Sequence, residues 1–307
     1  MLSLHQLRCF LTTYELGSLT AAAQELGFAQ PSVSEQVRHL ERSVGAPLFR
    51  RVGRGVVPTE AAEALRPYAE RALGAADAGR QAVAAVSGIT TGTVRFGIFG
   101  TARLYLGAQL VADVLARHPG VRVELIGQNS AAVQEDLLRG RLEAAMIAIP
   151  VAAEGMTVRP VARDELVYIS RYPERLVKPV TASALATAKL VLAETTWRDD
   201  DSSRRTLREM VQRTGSPLRT QIEVEDVETA VEIVGLGLAD SVVPRGVVDQ
   251  LVARLAPTVG WVSLRPRMYD TIAMVHRRDA ELSPAVRLVI ELATRRIQSI
   301  SEPIYSP

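Results

Sequence analysis

Along the first sixty residues the apolar positions fall at helical spacing. Leu4, Leu7, Leu11 and Tyr14 form one stripe that predicts a helix ending near Gly17. Leu19, Ala22, Ala23 and Leu26 form a second, started by Ser18 and stopped by Gly27. Pro31 suits the first turn of a third helix, with Val33, Val37, Leu40 and Val44 facing inward and Gly45 ending it. The opposite face of that helix carries Pro31, Ser34, Glu35, Arg38 and Arg42, with Gln30 and Ser32 at its N-terminal end. Such a face is either solvated or built to enter a major groove, where Gln and Arg pair with base edges and Ser reaches bases or phosphates. Next, Leu48 to Val52 and Val56-Val57 flank Gly53-Arg54-Gly55, a short hairpin decorated by Arg50, Arg51 and Arg54. A basic hairpin beside a recognition helix is a wing that touches phosphates or the minor groove.

From Thr59 the pattern becomes one long helix, with Glu60 and Glu63 suiting its positive end. The seam Leu65, Tyr68, Ala72, Ala75, Gly79, Ala82, Val86 alternates steps of three and four, as a coiled-coil interface does. About 28 residues at about 1.5 Å each give about 40 Å of helix. Its small side chains fit close pairing with a second copy; packing against its own chain is the alternative.

Ser87 to Gly92 breaks this pattern and marks a domain boundary. Strands follow at Val94–Phe99, Val121–Ile126 and Ala144–Ile149, alternating with helices over Leu104–Arg117 and Ala131–Arg139. This alternation predicts an α/β fold with a parallel, doubly wound sheet. A second unit reads as strands at Leu166–Ile169, Leu190–Leu192, Thr220–Val224 and Asp240–Pro244, with helices over Ser203–Thr214 and Val227–Val234. Thr271–His276 carries the chain back before a last helix, Pro284–Ile297. The predicted organisation is a mostly helical DNA-binding unit over 1–58, a linker helix over 59–88 and a two-lobed domain over 89–307. Lobe I takes 92–160 and 268–300, and lobe II takes 161–267.

Ligands of such sheets settle beyond the carboxyl ends of strands. Those ends are Phe99-Gly100-Thr101-Ala102, Gln128-Asn129-Ser130 and Ile149-Pro150, where the Thr101 and Ser130 hydroxyls lie beside free N–H groups and suit a carboxylate; each alone reads as a helix cap. From the second lobe Thr195, Thr196, Trp197, Arg198, Glu225, Asp226 and Val227 are the candidates, Trp197 to stack on a planar ligand and Arg198 to pair with an acid. The run Asp199-Asp200-Asp201 lacks the spacing of a calcium loop and reads as a solvated loop.

Composition narrows the classes. A net charge of +2 over 307 residues does not identify a polyanion binder, so the placement of charge decides. The single Cys9 excludes an internal disulfide, and no apolar run approaches the roughly 20 residues of a membrane span. The N-terminus lacks the pattern of a signal peptide, giving a cytoplasmic expectation. His5, His39, His118 and His276 are scattered, and neither a Gly-x-Ser-x-Gly elbow nor a phosphate-binding Gly-Lys loop is present, so an enzyme is not expected.

Gly17-Ser18, Ala22-Ala23, Gln30 to Ser34, Gln36-Val37, Leu40-Glu41, Leu48 to Arg51 and Pro58-Thr59-Glu60 together resemble the N-terminus of LysR-type transcription regulators over about Leu4 to Leu65. Looser motifs, Gly140-x-Leu142-Glu143-x-Ala145 and Val234 to Pro244, resemble that family's effector domain, which is like periplasmic binding proteins. The resemblance implies a winged helix-turn-helix in which Gln30, Pro31, Ser32, Ser34, Glu35 and Arg38 face operator DNA from the recognition helix, joined by Arg51 and Arg54 from the wing. It implies a homodimer or homotetramer and leaves room for a contact with RNA polymerase. It calls for no cofactor but for a small-molecule effector; the strand ends and second-lobe loops place that effector, an anionic or aromatic metabolite, at Gly100, Thr101, Asn129, Ser130, Ile149, Thr196, Trp197 and Glu225. Three residues depart from the family pattern. Ala29 stands where Ser commonly precedes Gln-Pro, removing a hydroxyl that could meet phosphate; Ala62 replaces Gly; Ala239 replaces Gly in the pattern Gly-x-Gly-Asp-Thr-x-x-Pro, putting the cleft edge of the second lobe in question.

Overall fold

In the computed structural model, which describes residues 2–304 apart from 54, 87–91, 128, 152–153, 194–200, 253 and 255, helix α1 (Leu4–Leu16) begins at a reciprocal cap. The Ser3 Oγ accepts from the Gln6 N–H, and the Gln6 Oε1 accepts from the Ser3 N–H. Helices α2 (Leu19–Leu26) and α3 (Gln30–Val44) follow, each ended by a left-handed glycine, Gly27 and Gly45. Their inward stripes meet in a core of Leu7, Phe10, Leu40, Leu48, Ala62 and Ala69, with Cys9, Ala22, Ala23, Val33 and Val37 beside it. The wing is the antiparallel pair β1 (Phe49–Val52) and β2 (Gly55–Pro58). Glu41 on α3 ties it down, its Oε1 accepting from the N–H groups of Leu48 (2.8 Å) and Phe49 (3.3 Å).

Helix α4 (Glu60–Val86) is the long linker. Its expected seam divides. Leu65 and Ala72 pack into the core of the first domain, whereas Tyr68, Ala75 and Gly79 are exposed, together with Val83. The side chains of Ala82 and Val86 lie outside the described residues.

The second domain starts with β3 (Gly92–Ile98), α5 (Gly100–Arg117), β4 (Val121–Ile126), α6 (Ser130–Arg139) and β5 (Ala144–Ile149), a right-reading alternation with all three strands parallel. It then departs from a purely parallel sheet. The 15-residue β6 (Met156–Ser170) leaves lobe I and runs straight into lobe II. There β7 (Val180–Thr181), α7 (Ala182–Thr187), β8 (Leu190–Leu192) and α8 (Ser202–Gln212) enclose a core of Leu166, Leu185, Leu190, Leu207 and Leu264, while β9 (Thr220–Glu223), α9 (Val227–Gly235), β10 (Ser241–Pro244) and the short α10 (Arg245–Val247) place Ile222, Val231, Val243 and Val247 against the larger core shared with lobe I. The chain returns along the 18-residue β11 (Gly260–Arg277), antiparallel to both β6 and β5, and closes with α11 (Pro284–Ile300) and β12 (Glu302–Pro303). The sheet order β10-β6-β11-β5-β3-β4 therefore crosses from one lobe to the other without a gap, and the antiparallel pair β6 and β11, which carries the chain both ways between the lobes, is the hinge position of the fold.

Helix α6 joins this domain to the linker. Its C-terminal Gly140 has φ +82°, and a Cβ there would lie 2.8 Å from the Arg71 Cγ on α4, so glycine allows both the turn and the close approach. Arg141 then pairs with Asp136 of α6 at 2.8 Å and with the nearly buried Glu70 of α4 at 3.4 Å, while Arg66 holds the same Glu70 oxygen at 2.9 Å. Arg277, at the end of β11, donates to the Leu137 carbonyl at 3.3 Å.

Candidate DNA-binding face and effector cleft

Val33, Val37 and Leu40 of the α3 stripe are buried in the core, which forces the other face outward; Val44, expected to face inward with them, is exposed at the helix's last turn. Gln30, Pro31, Ser32, Glu35 and Arg38 are exposed and Ser34 is half-buried. Glu35 pairs with His39 one turn on at 3.5 Å. Among the described residues no carboxylate pairs with Arg38 or Arg42, nor with Arg50 and Arg51 of β1. Free guanidinium groups on one helix face and on the adjoining strand form a surface complementary to phosphate and to guanine edges. Arg54 lies outside the described residues. Ala29 is the N-cap of α3, and no side chain caps that helix end. Replacing Ala29 by Ser is expected to stabilise the first domain by about 1 kcal/mol, read as a rise in its melting temperature; an unchanged or lower melting point would show that the cap cannot form.

The second site lies between the lobes. A cavity of about 70 Å³ is lined by Phe99 and Thr101 of lobe I, Asn129 and Ser130 at the start of α6, Asp201, Ser203 and Arg204 at the start of α8, Val227 and Ala230 of α9, strand β10, and Asp270 of the hinge strand. Thr101, Asn129 and Ser130 thus meet in one wall. Neither hydroxyl is a helix cap. The cap of α6 is Asn129, whose Oδ1 accepts from the Ala132 N–H at 2.9 Å, whereas the Ser130 Oγ accepts from the Ala148 N–H at 2.9 Å and binds α6 to β5. Helix α5 is preceded by Phe99 and has no side-chain cap, so its first N–H groups, from Gly100 onward, stay open to an acceptor. Gly100 and Ile149 flank the wall residues Thr101 and Ala148 in sequence but do not line the cavity themselves.

In lobe II the cavity wall differs from the sequence expectation. Glu225 is exposed and Asp226 caps α9 by accepting from the Thr229 N–H at 2.7 Å, so Val227 is the residue of that loop that lines the cavity. Thr195, Thr196, Trp197 and Arg198 lie outside the described residues. Asp201 is no solvated loop residue: it caps α8, accepting from the Arg204 N–H at 2.8 Å, and burial pushes its carboxyl above the usual range. Ala239 is buried, at 3% exposure, and causes no disruption, because the left-handed turn falls on Gly237 at φ +74°. Asp240 beside it accepts from the Tyr168 hydroxyl at 2.5 Å and from the Arg175 Nη1 at 2.7 Å, bracing the second lobe.

The hinge holds two carboxylates that sequence reading missed. Asp164 on β6 and Asp270 on β11 are register partners, each only 5% exposed. Asp164 accepts from the Tyr105 hydroxyl at 2.6 Å and from the Gly246 N–H at 3.3 Å, so it ties α5 to α10. Asp270 accepts from the Ser203 hydroxyl at 2.6 Å, and burial pushes its carboxyl up to about 7, with Asp201 and Asp164 adding like charge. The residue types of these positions carry no local signal of burial.

Two family models match this chain, one described as a bacterial regulatory helix-turn-helix protein of the lysR family over residues 4–63 and one as the LysR substrate binding domain over 87–298. The nitrogen assimilation regulatory protein nac of Klebsiella aerogenes is 27% identical over 294 residues, covering 95% of this chain and 94% of its own. The transcriptional regulator DgdR of Burkholderia cepacia is 34% identical over 173 residues, 56% of this chain and 57% of its own. Among solved structures, a full-length OxyR variant from Pseudomonas aeruginosa superposes with a TM-score of 0.78 at 21% identity over 100% of this chain and 99% of its own. CbnR complexed with its target DNA superposes at 0.65 with 23% identity, over 96% and 100%. Both domain models describe parts of a regulator and not of an enzyme, and among the described residues no helix is long and apolar enough to cross a membrane. With its two domains matched in order over most of its length, the chain belongs to the LysR family: it is a DNA-binding transcription regulator with a small-molecule effector domain.

Proposed function

We propose that this regulator reads an operator through Gln30, Pro31, Ser32, Ser34, Glu35 and Arg38 of α3, steadied by Arg51 and Arg54 of the wing. It does so as a dimer or tetramer paired along the exposed Tyr68, Ala75, Gly79 and Val83 stripe of α4. The division into 1–58, 59–88 and 89–307 follows, with the protein working in the cytoplasm on chromosomal DNA and RNA polymerase as a further partner. An effector with an acid group, seated beside Thr101 at the open end of α5, shifts the lobes and through them the spacing of the two recognition helices. The reading needs no cofactor. An aromatic effector would have its stacking partner in Trp197.

The observation that carries the proposal is the exposed Arg38, without a carboxylate partner among the described residues, on a helix whose Val33, Val37 and Leu40 are buried in the core. The test is a gel shift and footprint on the promoter region flanking the protein's own gene, at one fixed salt concentration. Gln30→Ala and Arg38→Ala are each expected to weaken the specific complex by about 1–3 kcal/mol, roughly 5- to 150-fold, while binding to random DNA changes far less. Variants that keep the parent footprint and affinity would place base readout elsewhere.

A further inference from the structure

We propose that the effector is a small zwitterion whose ammonium group pairs with Asp270 while its carboxylate meets the first turn of α5. This rests on the effector-domain reading above and names the ligand chemistry of that same cleft.

Asp270 lines the cavity, is nine-tenths buried, and among the described residues receives a hydrogen bond only from the Ser203 hydroxyl, on Oδ2. Its Oδ1 receives none. A buried carboxylate oxygen left open toward a cavity lacks a donor that a ligand can supply. Among the described residues the lining offers no unengaged cation there. Among the described residues Arg204 is the one basic residue in the cavity lining, and its guanidinium is engaged, its Nη1 donating to the Ala193 carbonyl at 2.9 Å and its Nη2 lying 3.4 Å from Glu223. Asp201 stands on the same wall. Two carboxylates against one engaged arginine make this end of the cavity hostile to an acid group and suited to an ammonium. The opposite wall has the reverse character. Asn129 and Ser130 spend their oxygens on the Ala132 and Ala148 N–H groups, no carboxylate lines that side, and the uncapped start of α5 presents N–H groups beside the Thr101 hydroxyl. A small molecule spanning the cavity therefore needs positive charge at one end and negative charge at the other.

The ammonium site should respond to pH. The titratable groups facing Asp270 are Asp164 across the strand pair, Asp201 ahead of α8 and Tyr105 on α5, while Arg204 of the same cavity lining is held by Glu223. Because burial holds the Asp270 carboxyl near 7, zwitterion affinity is expected to rise about tenfold between pH 6 and pH 8 as the carboxylate ionises.

The experiment is a thermal-shift and calorimetric panel on the full chain with three matched sets: the standard L-amino acids, the amines made by removing their carboxyl groups, and the acids made by removing their amino groups. At least one amino acid is expected to bind saturably where its amine and its acid do not. Asp270→Asn is expected to weaken that binding about thirtyfold or more, and Ser203→Ala, which keeps the carboxylate, to weaken it less. Binding by the amine-free acids, binding by amines alone, an Asp270→Asn variant with parent affinity, or no binding by any amino acid would each overturn the proposal. The operator footprint, which needs no ligand, decides the regulator reading separately.

Discussion

At pH 8 the ligand-free Asp270→Asn variant is expected to melt about 10 °C above the parent in its second domain. The carboxyl of Asp270 ionises near 3.8 in the unfolded chain and about 7 in the folded one, since burial between the hinge strands disfavours its charged form. Between those values the folded state holds a proton that the unfolded state has released. Stability due to this group is therefore complete below about pH 4 and is lost as pH rises to about 7, beyond which the deficit stays constant. At about 1.4 kcal/mol per unit, the deficit above pH 7 is about 4 kcal/mol, and about 2–4 °C per kcal/mol for a domain of this size converts it to the stated rise. Asparagine has no charge to bury and can still accept from Ser203. Asp164, Asp201 and Glu143 are pushed upward by burial as well, so the variant keeps a shallower fall with pH. Melting curves at pH 5, 6, 7 and 8 check this: parent and variant should converge toward pH 5 and separate by pH 8. Parallel curves would mean that the charged form of Asp270 is already compensated in the free protein. A buried carboxylate that weakens the fold in the wall of a ligand cavity is the pattern of a residue whose return comes from binding.

The second large effect is expected from Phe10→Ala. Phe10 is fully buried, with the Phe49 ring 5.6 Å away and the Tyr14 ring 6.1 Å away, and it touches the stripe of α3 through Leu40. Emptying that volume costs about 3–5 kcal/mol, a large part of what a domain of about sixty residues has to spare. Calorimetry of the full chain should show the first domain melting in a separate, earlier transition. Operator footprinting should be lost, while any ligand-induced thermal shift of the second domain persists. A single transition at the parent temperature would show that the docked linker helix carries the first domain's stability.

Much of this architecture was readable because its elements bury one face only. The stripes of α1, α2 and α3 end at glycines that turn out to be left-handed caps, and Val121–Ile126 and Ala144–Ile149 coincide with β4 and β5. The hinge strands were only half visible. Leu166–Ile169 and Thr271–His276 read as strands, but Arg159, Arg163, Asp164 and Glu165 on β6 and Arg265, Pro266, Arg267 and Asp270 on β11 interrupt the alternation. Extended pairing survives there because the two long strands satisfy each other's backbone groups across both lobes. The site was lost in the same stretch. Thr101, Asn129 and Ser130 follow from strand ends, a rule of topology, whereas Asp201, Ser203, Arg204 and Asp270 enter the cavity through how lobe II folds over lobe I. One signal was available: Asp201 stands where an N-cap belongs, directly ahead of the α8 stripe.

Helix α6 has its first residue in the cavity wall and its last turn tied to α4 through Arg141 and Glu70. Ten residues of helix form a rod of about 15 Å, too short to bend appreciably. If an effector draws Ser130 toward lobe II, as proposed above, α6 would act as a lever whose far end either carries Glu70 with it or breaks the Arg141 pair. Under that proposal a chemical event would reach the linker through about three turns of one helix, and the hydrogen bond from the Ala148 N–H to Ser130 is the contact it would load first.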